Sequence, residues 1–201
     1  MTFAVYKTAI GLEGFLQCVS NTISALGGTL GAYDSTSRRI SASKGTEAIS
    51  LTVDKEWFQF YLRMGIAHGG PWLFLMLQES SFWEYQLYRG DQCLDQFSTC
   101  PEQWGRSAEE NSLWRGSAHL LASEWGVEVE RVERYLVNWD LGPVWVDILQ
   151  RDELGYRRGG KAYESDRWPY GCVDQVYDFI RTLGASDFSS RQDVFAKMPP
   201  S

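Results

Sequence analysis

The chain has 201 residues, of which 44% are hydrophobic and 22% are charged, a composition typical of one large folded domain. Its formal net charge of −7 disfavours binding to nucleic acids and to anionic membranes, because like charges repel. No segment approaches the ~18 consecutive apolar residues of a membrane span, and the N-terminus lacks the pattern of a signal peptide. We therefore expect a soluble cytoplasmic protein whose cysteines are reduced.

The first hundred residues are predicted to contain strands and two helices. Apolar runs predict strands at 3–8, 30–33, 39–43, 49–53, 72–78, 82–88 and 92–97. Helical spacing of apolar residues predicts one helix at 13–26, ended by the glycines that follow it. A second helix would begin at Asp54 as its N-cap and end at the glycines after His68. Residues 55–67 also alternate with a period of two, so a strand there is a competing interpretation.

The order of these elements is that of a β-α-β-β unit that occurs twice. It predicts an internal duplication, although the two halves share no obvious residue identity. The natural product of such a pattern is an α+β fold, in which a mainly antiparallel sheet carries its helices on one face. We assign residues 1–100 to this sheet domain.

Residues 101–201 are predicted to form a helical part that packs on the sheet within the same globular unit. Apolar faces predict helices at 107–124, 128–139 and 173–183. Residues 144–149 are expected to form a strand or a short helix. Residues 151–171 are expected to be a polar loop around the basic, glycine-containing segment 157–161. The tail from 185 to 201 is expected to fray.

The helices expected around Gly126 leave a DNA-binding helix-turn-helix at 120–136 open as an alternative. A recognition helix must bring positive or neutral donors to the major groove. Residues 101–140 instead carry eight acidic and four basic side chains. A plain helical hairpin is therefore the favoured interpretation, and we expect no nucleic acid partner.

Cysteine and histidine residues leave a second alternative, a Cys/His-dependent enzyme. Cys93 or Cys100 could act as the nucleophile, with His68 or His119 as the base. Six residues separate the two cysteines, which is more than the spacing of ligand pairs in closed zinc sites. We therefore expect no metal, no cofactor and no catalytic residue.

Carboxylates also flank the hairpin at Gly90. We expect Asp91 and Asp95 to be solvated there, and Glu84 to face outward from a half-buried strand, which disfavours a paired acid–base site.

Nine tryptophans, ten tyrosines and ten phenylalanines are the most informative feature of the composition. They are densest between Phe82 and Trp104, where most of the rings could form the seam between the two parts of the chain. The competing interpretation is a groove between sheet and helices. Its candidate binding residues are Trp83, Tyr85, Asp95, Trp104 and Trp57.

These observations favour a non-catalytic module that binds another protein, in the manner of an inhibitor or an immunity protein. The acidic chain would attract a partner with a basic surface, and spare aromatic rings would anchor it. The alternative is a small-molecule-binding or sensor domain with a Trp-lined pocket.

Overall fold

A computed structural model of the chain describes residues 1–54, 57–78, 82–137, 139 and 160–197. Its strands are β1 (Thr2–Lys7), β2 (Thr29–Gly31), β3 (Arg38–Lys44), β4 (Ala48–Val53), β5 (Pro71–Gln78), β6 (Phe82–Arg89), β7 (Gln92–Ser98) and β8 (Gln192–Lys197). Its α-helices are α1 (Leu12–Ala25), α2 (Phe58–His68), α3 (Ala108–Ser112), α4 (Ala118–Trp125) and α5 (Gln175–Thr182). Short 3-10 helices span Pro101–Trp104, Val129–Arg131 and Glu133–Tyr135.

All eight strands join one antiparallel sheet in the order β2-β8-β3-β4-β1-β5-β6-β7. The predicted α+β class and antiparallel sheet are therefore confirmed. Within the sheet, β1 and β3 are parallel to each other with β4 between them, and β4 and β5 are parallel with β1 between them. The elements β1-α1-β3 and β4-α2-β5 are thus two interlocked split β-α-β units. The internal duplication stays a prediction.

Residues 58–68 form a helix, which settles the helix-or-strand alternative for the described part of 55–67. Phe60, Tyr61 and Met64 lie on its buried face, at helical spacing. The helix ends at Gly69, whose φ of 75° is readily adopted only by residues without a Cβ. The expected cap was wrong: Trp57 occupies the N-cap position, and the Asp54 carboxylate lies 3.4 Å from the Arg39 guanidinium.

One face of the sheet is covered by α1 and α2, which we call the helix layer. The buried core there combines residues of both helices with alternate residues of the strands: Phe15, Val19, Ile23, Phe60, Tyr61, Met64, Ala4, Tyr6, Ile49, Leu51, Trp72 and Phe74. The strand residues between them face the opposite side, as Leu73 and Leu75 do on β5. The run of apolar residues in β5 is explained by this burial on both faces.

The other face is covered by residues 118–137 and 160–185, which we call the C-terminal layer. Its core joins α4, α5 and the turns between them to the sheet through Leu121, Trp125, Val132, Tyr135, Val176, Phe179, Phe3, Leu75, Trp83 and Tyr85. The expectation of long helices here was wrong. Residues 107–124 form α3 and α4, with a break at 113–117, and residues 129–135 form two 3-10 turns instead of a helix.

Local capping groups explain the break between α3 and α4. Ser107 and Glu110 form a reciprocal capping box that starts α3, and the Ser117 side chain accepts from Leu120 N–H at the start of α4. Gly116 between them has a φ of 69°. Because the segment after Gly126 is not an α-helix, the described residues do not form the helix-turn-helix considered as an alternative.

The described part of the C-terminal tail, residues 185–197, ends in a strand instead of fraying as expected. Residues 192–197 form β8, which inserts between β2 and β3 and pairs with five residues of β3. Ala196 faces the core of the helix layer, and Val194 packs against that core. The sheet therefore extends beyond residues 1–100, while the domain boundary itself stays a prediction.

Two expected segments, the element at 144–149 and residues 151–159 of the polar loop, lie outside the described residues. Among the helices that the structure describes, none combines the length and the apolar character needed to cross a bilayer.

Candidate functional site

The β6–β7 hairpin carries most of the candidate residues, and the chain returns beside it. Ser98 N–H donates to the Trp114 carbonyl, and Gly116 N–H donates to the Gln96 carbonyl, each at 2.9 Å. Arg115 thereby forms an antiparallel bridge with Phe97. Residues 114–116 cover the outer edge of β7, which would otherwise present unpaired backbone groups.

Two of the candidates, Trp83 and Tyr85, face the C-terminal layer and are fully buried. Both rings stack on Phe179 of α5, with centroid distances of 5.1 and 5.9 Å. They form the seam between sheet and α5, which is the interpretation expected for most rings of the aromatic segment, and not the competing groove. In this conformation neither ring reaches the solvent.

Asp95 lies at the end of this seam and joins it to α4. Its Oδ2 accepts from the Tyr85 hydroxyl at 2.7 Å and from Ser117 N–H at 2.9 Å. Burial raises the pKa of Tyr85 well above its ordinary value, and the negative charge of Asp95 raises it further. Tyr85 therefore stays protonated and donates. The contacts of Asp95 with Tyr85 and Ser117 fix the start of α4.

Glu84 was expected to face outward, and this expectation was wrong. Its side chain is fully buried on the helix-layer side of β6. Glu84 Oε1 accepts from Trp104 Nε1 at 2.8 Å and from Arg106 Nη1 at 3.1 Å. Period-two alternation predicts on which face a side chain lies, but it does not predict that residues twenty positions later will cover that face. Among the described residues, Oε2 has no hydrogen-bond partner.

Trp104 and Arg106 form the cover over Glu84. The Arg106 guanidinium lies 3.8 Å from the ring centroid of Trp114, close enough for a strong cation–π contact. The Trp104 ring meets Phe82 edge to face at 5.9 Å. Of the tryptophans that the structure describes, Trp104 alone is exposed, with 46% of its surface accessible. Glu84 thus holds the indole N–H of Trp104, while nearly half of the residue stays accessible to solvent.

The sheet surface between Trp104 and α2 is only partly covered. Met76, Gln86 and Gln96 lie on this face of neighbouring strands and are partly exposed. On the α2 side the surface is bordered by Phe58, which is 36% exposed and meets Phe74 edge to face at 5.0 Å. We call this surface, from Phe58 across Met76, Gln86 and Gln96 to Trp104, the aromatic strip.

Trp57 is not part of the aromatic strip. It stacks on Phe60 at 4.8 Å and lies under the guanidinium of Arg38, on β3. Trp104 covers β6, which is separated from β3 by β4, β1 and β5. The structure therefore brings four of the five candidates to the β6–β7 hairpin. Trp83 and Tyr85 are buried under the C-terminal layer, and Asp95 accepts from Tyr85 there. Trp104 lies on the opposite face of the hairpin and is exposed.

The cysteines and histidines lie at separate places. His68 Nε2 is 2.6 Å from the Lys7 carbonyl oxygen, and His119 is exposed on α4. Cys100 is buried, and Cys93 lies on β7, where partial burial raises the pKa of its thiol. A raised pKa is the opposite of what activates a nucleophilic cysteine. Within the described residues, no three metal-ligating side chains come together.

Three residues that matter here were not singled out in the sequence: Glu84 as a buried acceptor, Arg106 and Trp114. The pairing of Glu84 with Arg106 joins residues 22 positions apart, so no local period could reveal it. The sequence does carry one signal, the Ser-x-x-Glu capping box of Ser107 and Glu110. It predicts that a helix begins at Ser107, and it therefore places Arg106 at the end of the segment before that helix.

No family model, curated protein or solved structure matches this chain.

Proposed function

We propose that this protein is a non-catalytic cytoplasmic module that binds another protein through the aromatic strip, with Trp104 as the anchor. The observation that carries the proposal is that an exposed tryptophan is fixed by a buried carboxylate. Trp is the residue type most enriched among binding hot spots, and its two rotatable bonds make it inexpensive to order. Inhibitor and immunity proteins act in this way, by occupying a partner without chemistry.

Preorganisation supports Trp104 as an anchor rather than as an incidental surface ring. An unrestrained side chain loses about 0.5–1.5 kcal/mol of conformational free energy when a partner immobilises it. Here the hydrogen bond to Glu84 already restricts the indole, and Arg106 is itself restricted by its stacking on Trp114. Most of the ordering is therefore complete before the partner arrives.

Charge supports a partner with a basic surface. The chain carries a net charge of −7, and Glu109 and Glu110 of α3 are exposed three and four residues beyond Arg106. Arg106 is occupied by Glu84, and Glu110 caps α3, so the Glu109 carboxylate is left to act on the approaching partner. Such charges raise the association rate more than they raise the final affinity.

The experiment compares three forms of the protein: the unmodified chain, Trp104→Ala and Tyr33→Ala. Tyr33 is the matched control, because it is an aromatic side chain that is 69% exposed beside β2 and β8, away from the strip. Each form is used to capture proteins from a lysate of the source cell. A protein that the unmodified chain captures in a one-to-one ratio is then purified, and its binding to all three forms is measured by titration.

We expect Trp104→Ala to weaken binding of the purified partner about 30-fold or more and Tyr33→Ala to leave it unchanged. Added salt should slow association while it alters dissociation little. Equal losses for the two variants, or no stoichiometric partner at all, would contradict the proposal.

A second candidate function, binding of a small molecule in a Trp-lined pocket, has one observation in its favour. The indole N–H groups of Trp83 and Trp139 and both amide atoms of Gln175 are buried, and among the described residues they have no hydrogen-bond partner. Buried polar groups without partners are uncommon and can be satisfied by a ligand. A saturable shift in melting temperature on screening metabolites, lost in Trp83→Phe and kept in Trp104→Phe, would favour this candidate over protein binding.

A further inference from the structure

A cavity lies on β3 and β4, away from the aromatic strip and on the face of the sheet opposite the helix layer. It has a volume of about 400 Å³ and is lined in part by Arg39, Ser41, Thr52, Asp54 and Arg191. Ser41 of β3 pairs with Thr52 of β4, and the residues on either side of Ser41 point into the core of the helix layer. The two hydroxyl groups therefore form the floor of the cavity, and its volume falls within the ~300–1,000 Å³ range of small-molecule sites.

Both guanidinium groups at this cavity retain unused donors. Arg39 Nε is 3.4 Å from Asp54 Oδ2, and Arg191 Nε is 3.7 Å from Asp193 Oδ1, distances that fit ion pairs but exceed good hydrogen bonds. Neither guanidinium donates a hydrogen bond to any other described residue. Each planar group can hold two oxygens of a carboxylate or a phosphate.

Each of these arginines faces one carboxylate, so the charges are balanced, but both contacts are longer than good hydrogen bonds and involve Nε alone. Asp193 pairs with Ser41 across β8 and β3, so it lies beside the floor of the cavity and accepts from the Ser41 hydroxyl at 2.6 Å. Of the two acidic residues, Asp54 alone lines the cavity, against two arginines.

We propose that this cavity binds a small ligand through an oxyanion group, a carboxylate or a phosphate, that Arg39 and Arg191 hold between them. The ligand competes with Asp54 for Arg39 and with Asp193 for Arg191. The repulsion from Asp54 makes the site selective for compact anions over long polyanions. The site is independent of the aromatic strip, which lies on the opposite face of the sheet.

The test uses the whole chain and two simple probes, inorganic phosphate and acetate, titrated separately at constant ionic strength and followed by NMR chemical shifts. We expect saturable binding of one of the two, and the tighter probe assigns the oxyanion. Arg39→Ala and Arg191→Ala should each weaken binding ~10-fold, and Arg39→Lys should also weaken it, because an ammonium cannot hold two oxygens at once. Asp54→Asn should tighten it about threefold or more, since a competing charge is removed.

The matched control is Arg63→Ala, because Arg63 is exposed on α2, on the other face of the sheet. It should leave binding unchanged. Losses as large for Arg63→Ala as for Arg39→Ala would show a general effect of charge and overturn the proposal. No saturation by either probe below about 10 mM would overturn it as well. All of the variants replace surface side chains, so unchanged melting temperatures are expected to verify that each is folded.

Discussion

The two faces of the sheet are covered by different kinds of structure. On one face, α1 and α2 are continuous helices of 14 and 11 residues whose apolar sides pack on the sheet. On the other, α4 and α5 have 8 residues each, and α4 is followed by two short 3-10 helices. Helices this short are marginal by themselves, so the C-terminal layer needs other contacts to hold it.

Those contacts are hydrogen bonds from side chains that tie one segment of the C-terminal layer to another. Trp125 Nε1 on α4 donates to the Leu183 carbonyl after α5, and the Tyr135 hydroxyl donates to Asp166 at 2.6 Å. Asp178 on α5 accepts from the backbone N–H groups of Arg167 and Trp168 at 2.8 and 2.7 Å. The helix layer combines longer apolar helix faces with neutral hydrogen bonds of Tyr6 and Tyr61, whereas the C-terminal layer is anchored by the buried carboxylate of Asp178.

The largest loss of stability is expected for Phe179, a buried ring at the centre of the contact between the C-terminal layer and the sheet. Phe179 contacts Trp83, Tyr85 and Tyr135 at centroid distances of 5.1 to 5.9 Å and is fully buried. Phe179→Ala should lower the free energy of unfolding by about 3–5 kcal/mol, because a ring is lost and a cavity remains. Urea denaturation followed by tryptophan fluorescence measures this loss.

The same experiment tests whether the two layers depend on one another. Phe15→Ala in the helix layer removes an equally buried ring and should cost a similar amount. Because both layers pack on the same strands, each variant should unfold in one transition. Two separate transitions would show that the layers are independent.

The polar anchors are tested by two aspartates that share one arginine. Arg181 pairs with Asp178, whose side chain is 1% exposed, and with Asp187, whose side chain is 30% exposed. Asp178→Ala should cost about 2–4 kcal/mol, because two backbone N–H groups lose a charged acceptor. Asp187→Ala should cost less than about 1 kcal/mol. Similar losses in the two variants, measured by urea denaturation, would remove the distinction between anchors and surface pairs.

This difference between the layers also explains which parts of the fold could be predicted. The strands of the first half and both helices of the helix layer follow from apolar periodicity, since each buries one continuous face. The periodicity of Trp114, Ala118, Leu121 and Trp125 also suggested one helix, yet Ser117 starts a new one. A local cap outweighed the apolar pattern there.

The parts that the sequence did not predict depend on contacts between distant residues. β8 is a strand because it finds β3, about 150 positions earlier in the chain, and its own sequence alternates only weakly. Glu84 is buried because Trp104 and Arg106 cover it. At the candidate site, the density of aromatic residues correctly drew attention to the hairpin, but only the structure separates the buried Trp83 from the exposed Trp104.

Two glycines with positive φ, one beside each layer, allow a smaller test of how tightly the layers are packed. A Cβ on Gly116, before α4, would lie 3.0 Å from both the Phe97 Cβ and the Tyr85 hydroxyl oxygen. A Cβ on Gly69, after α2, would have nothing within 4 Å. Gly116→Ala should therefore cost about 2–3 kcal/mol, from backbone strain and crowding together, and Gly69→Ala about 1 kcal/mol from strain alone. Equal shifts of the melting temperature would contradict crowding at Gly116.

The smallest effect at neutral pH is expected for a tyrosine on the helix-layer side of the sheet. The Tyr88 hydroxyl donates to Gln86 Oε1 at 3.0 Å, so Tyr88→Phe should cost about 0.5–1.5 kcal/mol at pH 7.

Burial, with Cys93 as a smaller contribution, raises the pKa of Tyr88 from 10.0 to about 12. Above pH 10 the unfolded chain loses this proton while the folded protein keeps it. The stabilisation by Tyr88 is therefore complete below pH 10 and declines as the pH rises towards 12. Chemical denaturation at intervals from pH 8 to alkaline values should show a smaller decline in Tyr88→Phe than in the unmodified chain, and parallel curves would mean that Tyr88 already titrates freely in the folded state.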